Sequence, residues 1–268
     1  MNRTDHRSTT LSEFLLLPTV LIQPQHVQRY VTLASVNNSP AQFDRYAQAY
    51  TVALETTRSA TGENTEFFAR GRIRWLSQCV RVLLVEQPRT VLDFGCGTGS
   101  SMPILSELLA CESLVGIDVS EKCIEHARNL HASIGVRFDT VSAYRPSGDM
   151  DLVYSNGVFH HILPAERDSS LRLVYDSLRP GGLFSFWENN PWNLGTRYCM
   201  YRCIFDEDAV TISPWQARSL LRAAGFELVR QDFLFYFPAL LKWLRDLEPF
   251  LAKLPLGGQY QVLCRKPL

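Results

Sequence analysis

The sequence has no run of apolar residues approaching the roughly 20 that a membrane-crossing helix needs. The nearest, Phe14 to Ile22, is interrupted by Pro18 and followed by no small-residue cleavage site, so neither a span nor a secretory leader is expected. It has no excess charge of either sign: 27 basic residues stand against 27 acidic ones, for a formal net charge of zero. Nothing resembles the basic stripe that neutralises a phosphate backbone, so a nucleic-acid partner is not expected. The nearest cluster is Arg70, Arg72 and Arg74, which reads as the solvated face of a helix with one arginine able to turn inward. A disulfide framework is also missing. The seven cysteines are scattered and suit reduced thiols in a cytoplasmic protein. Cys199 and Cys203, four apart, have no nearby histidine or cysteine to complete a zinc set; they read as packing, and no metal is expected. There are no internal repeats or low-complexity tracts. What these absences leave is a chain of 268 residues able to bury one sizeable core with decorations, its oligomeric state open.

What is present centres on Val91-Leu92-Asp93-Phe94-Gly95-Cys96-Gly97-Thr98-Gly99-Ser100. Apolar residues run into a glycine-rich turn, and the turn runs into a helical pattern from Met102 to Ala110 with Leu105, Leu108 and Leu109 on one face. Glycines here permit positive φ and leave no Cβ between backbone and ligand. The helix beyond offers free N–H groups to an anionic group. A second apolar strand, Leu114-Val115-Gly116-Ile117-Asp118, ends in an acid about 20 residues on, where an open α/β fold sets a carboxylate against ribose hydroxyls.

The pair Asp93-Phe94-Gly95-Cys96-Gly97-Thr98-Gly99 and Gly116-Ile117-Asp118-Val119-Ser120 resembles the class I S-adenosylmethionine (SAM)-dependent methyltransferases of small-molecule type. The glycine spacing differs from the dinucleotide G-x-G-x-x-G pattern. The resemblance implies an α/β fold: a doubly wound, Rossmann-like sheet of seven strands, mostly parallel with an antiparallel last strand, plus an N-terminal helical cap. It assigns residues 1–84 to the arm and cap and 85–268 to the catalytic core, with an insertion near 191–213. It also implies SAM as cofactor and S-adenosylhomocysteine as product.

In chain order, Phe43, Tyr46, Ala47 and Tyr50 share one helical face. They match the family's entry helix, which implies Tyr50 over the cofactor and Tyr46 towards the substrate. Arg70 is the candidate to pair with the methionine carboxylate, since a guanidinium fork suits carboxylates. The cofactor-binding set implied by the resemblance is Asp93, Gly95, Cys96, Gly97, Gly99, Asp118, Val119, Ser142, Ala143 and Asn156, with Tyr50 and Arg70. The family often has an acid after the third strand to hold the adenine. Here Ser142-Ala143 stands there, leaving a backbone contact, the Ser142 hydroxyl or no contact. Asp139 lies inside that strand and reads as structural.

The fourth strand, Asp149 to Asn156, is followed by Gly157-Val158-Phe159-His160-His161-Ile162, at the end where open sheets bind ligands. A helix from Pro164 to Leu178 stops at Arg179-Pro180-Gly181-Gly182, read as a turn before the fifth strand. That strand ends in Trp187-Glu188-Asn189-Asn190-Pro191-Trp192. Polar groups beside tryptophans suit a substrate pocket, so Trp187, Asn189, Asn190 and Trp192 are substrate candidates, with Tyr198 and Tyr201 from an insertion read as a lid or loop. A histidine suits deprotonation of an acceptor near neutral pH, so His161 and His160 are the catalytic candidates, one turned into the pocket and one packed, with His161 favoured for the pocket. Glu188 is the alternative. Two further readings remain: a peripheral-membrane methyltransferase of a lipid or isoprenoid, suggested by the apolar stretch Phe233 to Leu251, and a SAM-binding module without catalysis.

Overall fold

The computed structural model describes residues 62–83, 86–132, 135–203 and 206–268. The N-terminal arm and the entry segment carrying Tyr46 and Tyr50 lie outside the described residues. Helix α1, Thr65–Leu83, buries Ala69, Arg72, Ile73, Leu76, Cys79 and Val80, a stripe at helical spacing that includes one arginine. Strand β1 (Thr90–Phe94), helix α2 (Met102–Leu109), strand β2 (Ser113–Asp118), helix α3 (Glu121–Leu130) and strand β3 (Arg137–Thr140) follow. Then come β4 (Met150–Asn156), α4 (Arg167–Ser177), β5 (Leu178–Asn189), α5 (Leu194–Arg202), α6 (Pro214–Ala223), β6 (Glu227–Leu234), α7 (Glu248–Leu251) and β7 (Gln259–Arg265).

The seven strands form one sheet in the order β3-β2-β1-β4-β5-β7-β6. The pairings from β3 to β5 are parallel, and β7 runs antiparallel to both β5 and β6. This is the expected sheet. Neighbouring strand residues feed opposite cores, because side chains alternate across a strand. Val91, Leu152, Tyr154, Leu183 and Trp187 pack under α1, α2 and α3. Leu92, Val153, Phe184 and Phe186 pack under α4 and α6. Helices thus cover both faces, and buried strands read as nearly continuous apolar runs. Strand order reverses between β1 and β4, which opens a crevice at their carboxyl ends.

Three local readings change. Leu178 to Gly182, expected as a turn, is the first part of β5: Met150 pairs with Leu178 and Leu152 with Leu183, so the extra residues bulge from the ladder. Leu194–Arg202, expected as a lid or loop, is a helix whose cap is Asn193, accepting from Thr196 N–H at 2.9 Å. The leucine-rich Pro238 to Leu254, whose composition reads as one helix, is instead a 3₁₀ stretch, Ala239–Leu247, kinked at Leu241 and leading into α7. The capping box at Ser213 and Gln216, which starts α6, was not among the expectations.

Candidate functional site

The glycine loop leaves β1 with Gly95 and Cys96 N–H both bonded to Ile117 O, at 2.8 and 3.0 Å. Asp118 closes the arrangement. Its carboxylate accepts Gly97 N–H at 2.9 Å and Ser120 N–H at 2.9 Å, tying the loop to the end of β2. Ser120 caps α3 through Cys123 N–H. A Cβ at Gly95 would meet Val158 at 2.3 Å, and one at Gly116 would meet the Cys96 sulfur at 2.9 Å, so those glycines are demanded by packing. Gly97 differs: its φ is +54° and nothing lies within 4 Å of where a Cβ would stand. Open space above a left-handed glycine, beside a strand-end carboxylate, is the form a ligand cradle takes.

Beneath the loop, Asp93 is buried, and its carboxyl is pushed up to about 7, first by burial and then by Asp118, with Arg72 pulling the other way. Arg72 is the inward-turned arginine. It donates to Tyr154 Oη at 3.2 Å and to Gln259 Oε1 at 2.8 Å, and Gln259 in turn donates to Asn189 Oδ1 at 3.0 Å. This corrects the expectation for Arg70. That side chain is held on the outer surface by Glu66 at 2.8 Å and Glu107 at 3.0 Å.

At the carboxyl ends of β4 and β5 lies a cavity of about 520 Å³, lined by Asn156, Gly157, His160, His161 and Asn189 among others. The loop after β4 brings the two histidine rings to 4.0 Å. Glu188 is buried behind them. One of its oxygens accepts Phe159 N–H at 2.8 Å and His160 N–H at 3.3 Å; the other meets His160 Nδ1 at 2.5 Å. Nε2 of His160 faces Asp206 Oδ1 at 3.3 Å, and Nε2 of His161 faces the same oxygen at 3.5 Å. Burial alone would depress the His160 imidazole, but Glu188 and Asp206 outweigh it and hold the ring up to about 10. His161 goes the other way, to about 3, through burial and then the charge on His160. Both rings reach the cavity, His161 being the more open at 16% against 3%.

An aromatic wall completes the cavity. Phe235 has φ +65°, an outlier for a bulky residue. It packs on Phe67 and Phe68 with centroids at 6.1 and 5.0 Å. The backbone N–H groups of Phe235, Tyr236 and Phe237 all donate to Glu248, at 3.2, 3.1 and 3.1 Å, which holds the strained turn.

Of the expected substrate residues, Asn189 and Tyr198 line the cavity. Trp187 does not: strand alternation sends it into the core under α1. Asn190 is a buried staple, donating to Pro255 O at 3.1 Å and Gly257 O at 2.8 Å. Trp192 packs edge-on to Trp215 at 5.4 Å outside the cavity, and Tyr201 is exposed. Val119, Ser142 and Ala143 are exposed at the ends of β2 and β3, beside Asp118. Sequence reasoning chose Arg70 over Arg72 within a cluster expected to turn one arginine inward, and it missed Asp206, Phe235 and Glu248. Only Asp206 left a signal, in the acidic run Asp206-Glu207-Asp208.

SAM fits this chain's residues: Gly97 faces clear space, Asp118 stands beside it, and the buried Asn156 Oδ1 at the end of β4 has no hydrogen-bond partner. Residues 91–182 match the family model described as a methyltransferase domain. An uncharacterized methyltransferase of Synechocystis is 29% identical over 154 residues, covering 56% of this chain and 72% of that protein. A trans-aconitate 2-methyltransferase of Rhizobium leguminosarum is 31% identical over 141 residues, covering 51% of this chain and 52% of that one. Other curated relatives are spanned for less than half their length, among them a carboxy-S-adenosyl-L-methionine synthase of Campylobacter curvus at 43%. A solved S-adenosylmethionine-dependent methyltransferase from Mesorhizobium loti shares the fold, with a TM-score of 0.52 and 21% identity over 72% of this chain and 98% of that one. The glycine loop, the strand-end Asp118 and the seven-stranded sheet agree with these matches, which mark residues 91–182 as a SAM-dependent methyltransferase domain.

Proposed function

We propose that the chain transfers the methyl group of SAM to a small-molecule acceptor held in the 520 Å³ cavity. The observation that carries this reading is the junction of the two halves: the glycine loop and Asp118 leave β1 and β2, while the cavity opens at the ends of β4 and β5, on the same edge of the sheet. SAM supplies an electrophilic methyl group on a sulfonium, so the chain's own task is binding, alignment and exclusion of water. Gly97, Gly99, Asp118 and Asn156 hold the cofactor, Asp93, Gly95 and Cys96 shape the loop beneath it, and Val119, Ser142 and Ala143 border the adenine end. Asn189, Tyr198 and the aromatic wall hold the acceptor. His161 faces it, His160 stands behind, and Glu188 fixes His160.

The names of relatives that act on trans-aconitate and that make carboxy-S-adenosyl-L-methionine support an acceptor of metabolite size. Binding and turnover test the reading separately. Asp118→Ala should weaken S-adenosylhomocysteine binding at least ~10-fold in calorimetry, since a charge-assisted bond contributes about 1.5–3 kcal/mol. His161→Ala should keep that binding and lose ~100-fold or more in turnover once an acceptor is found by screening metabolite pools with labelled SAM. Normal binding by Asp118→Ala, with the chain folded, would remove the cofactor assignment.

A second reading has an observation of its own. Leu240, Trp243, Phe250, Leu254 and Leu256 are exposed on the segment that follows the aromatic wall. Such a patch favours a lipid or isoprenoid acceptor presented at a membrane surface. Co-sedimentation with anionic and neutral vesicles decides it: a chain left in the supernatant of both excludes this reading.

A further inference from the structure

We propose that His160, His161 and Asp206 form a site for one first-row divalent transition ion, best matched by Zn²⁺, on the wall of the acceptor cavity. The three donor atoms lie within 4.8 Å of one another. Both ring nitrogens approach the same carboxylate oxygen, at 3.3 and 3.5 Å. Zinc bonds to nitrogen and oxygen are about 2.0–2.1 Å, which at tetrahedral angles separates neighbouring ligand atoms by about 3.4 Å. The two observed separations match that value.

The surroundings match as well. A metal-bound imidazole commonly gives its other N–H to a carboxylate, which fixes the tautomer. His160 does this: Nδ1 meets Glu188 at 2.5 Å, and the second Glu188 oxygen is taken by two backbone N–H groups. With Nδ1 bonded to Glu188, Nε2 of His160 is turned to an Asp206 oxygen. In the metal-free chain a second ring proton bridges Nε2 and the carboxylate; a divalent cation takes the place of that proton. A cation placed between the rings and the carboxylate engages all three donors at once.

The donor set selects the ion. Two imidazoles and one carboxylate suit Zn²⁺, Fe²⁺ or Co²⁺, whereas Mg²⁺ and Ca²⁺ prefer oxygen alone. Three protein ligands leave a coordination position open, and all three residues line the cavity, so that position faces the acceptor. The inference rests on the methyl-transfer reading and deepens it: the acceptor is an oxygen nucleophile. A hydroxyl in the open position is acidified by the cation, and its proton leaves to solvent through the cavity mouth. The new O–CH₃ bond forms as the S–CH₃ bond breaks, and that electron pair stays on sulfur, giving a methyl ether and S-adenosylhomocysteine.

The test uses the full chain, stripped with a chelator and dialysed. Zn²⁺ is titrated by calorimetry, and Co²⁺ by its visible d–d absorption, which reports nitrogen and oxygen ligation. One equivalent of each should bind. His161→Ala and Asp206→Asn should each lose at least ~10-fold in affinity, and Glu188→Gln ~10- to 100-fold as the outer partner of His160. S-adenosylhomocysteine binding by each variant serves as the check that it is folded. No Zn²⁺ or Co²⁺ binding by a chain that takes the product normally would overturn the metal site and leave methyl transfer standing. Binding that is unchanged in the variants would overturn these three ligands. Failure to bind S-adenosylhomocysteine at all would strike the methyl-transfer reading instead.

Discussion

The cofactor side and the acceptor side of the crevice are built by different means. On the cofactor side one continuous stretch, residues 93–99, does most of the work, and its partner Asp118 acts on backbone N–H groups of its own neighbourhood. On the acceptor side, side chains are assembled from distant segments: His160 from the loop after β4, Glu188 from β5, Asp206 beyond α5 and Phe235 beyond β6. The first kind of site is written as a local motif. The second exists only once the sheet has brought its strands together, and it depends on buried polar partners that cost free energy when any one is removed.

The largest expected effect comes from removing the keystone of the acceptor side. Glu188→Ala leaves two backbone N–H groups and an imidazole without their acceptor, in a position that is 1% exposed. A loss of about 3–5 kcal/mol is expected, read as a lower denaturation midpoint at unchanged slope. A loss below about 1 kcal/mol would mean that water replaces the carboxylate and that the acceptor side is less tightly assembled than the hydrogen bonds indicate.

A pair of glycine substitutions separates packing from binding on the cofactor side. Gly95→Ala combines positive φ with a 2.3 Å clash against Val158. Strain of about 1–2 kcal/mol and overpacking of about 1–3 kcal/mol should add, so the fold suffers. Gly97→Ala bears the strain alone, because its Cβ meets nothing. It should stay folded, with about 1–2 kcal/mol lost, while S-adenosylhomocysteine affinity drops ~10-fold or more. Equal stability losses in the two variants would erase the distinction between a packed glycine and a ligand-facing one.

Asp93 gives the cofactor side a pH dependence. Its carboxyl sits at about 7 when folded, against about 3.9 for an unperturbed aspartate. Between those values the folded chain holds a proton that the unfolded chain releases, so this group's contribution to stability falls as pH rises from ~4 to ~7 and is flat above. Asp93→Asn removes that slope. Compared at pH 5 and pH 8 by denaturant titration, the native chain should lose on the order of 2 kcal/mol more than the variant. Identical pH dependence in both chains would mean that Asp93 is ionised throughout.

Much of the architecture was legible before any coordinates. The apolar runs before the glycine loop and before Asp118 gave β1 and β2, the leucine stripe after Met102 gave α2, early acids in Glu121 to His131 read as α3, Pro164 marked the approach to α4, and Gly225, at φ +95°, reads as the glycine just past the end of α6. The fold class followed from their alternation and from the family resemblance. Legibility failed where long-range contacts decide. Trp187, Asn190 and Trp192 are polar or aromatic at a strand end, which reads as a pocket, yet alternation and the 255–258 loop turn them elsewhere. Asp206 looked like part of a solvated acidic run because its histidine partners are 46 residues away in sequence. Arg72 and Arg70 are indistinguishable in sequence, since a two-residue offset on a helix changes the face but not the composition.

That last pair gives the smallest predicted effect and the finest test of the comparison. Arg70 pairs with Glu66 one turn back and with Glu107 on α2, all three partly or fully exposed. Pairs of this kind spend side-chain entropy for little Coulomb energy and are screened by salt. Arg70→Ala should therefore leave the denaturation midpoint and S-adenosylhomocysteine affinity within experimental error, and any small shift should vanish at high ionic strength. Arg72→Met, two residues away, should not be silent: Tyr154 Oη and Gln259 Oε1 lose their donor, and Asp93 loses the cation that favours its ionised form. If Arg70→Ala instead weakens cofactor binding while Arg72→Met does not, the guanidinium that serves the cofactor is the outer one. The surface ion pairs would then have to break when ligand arrives, and the cofactor side would be assembled at long range as the acceptor side is.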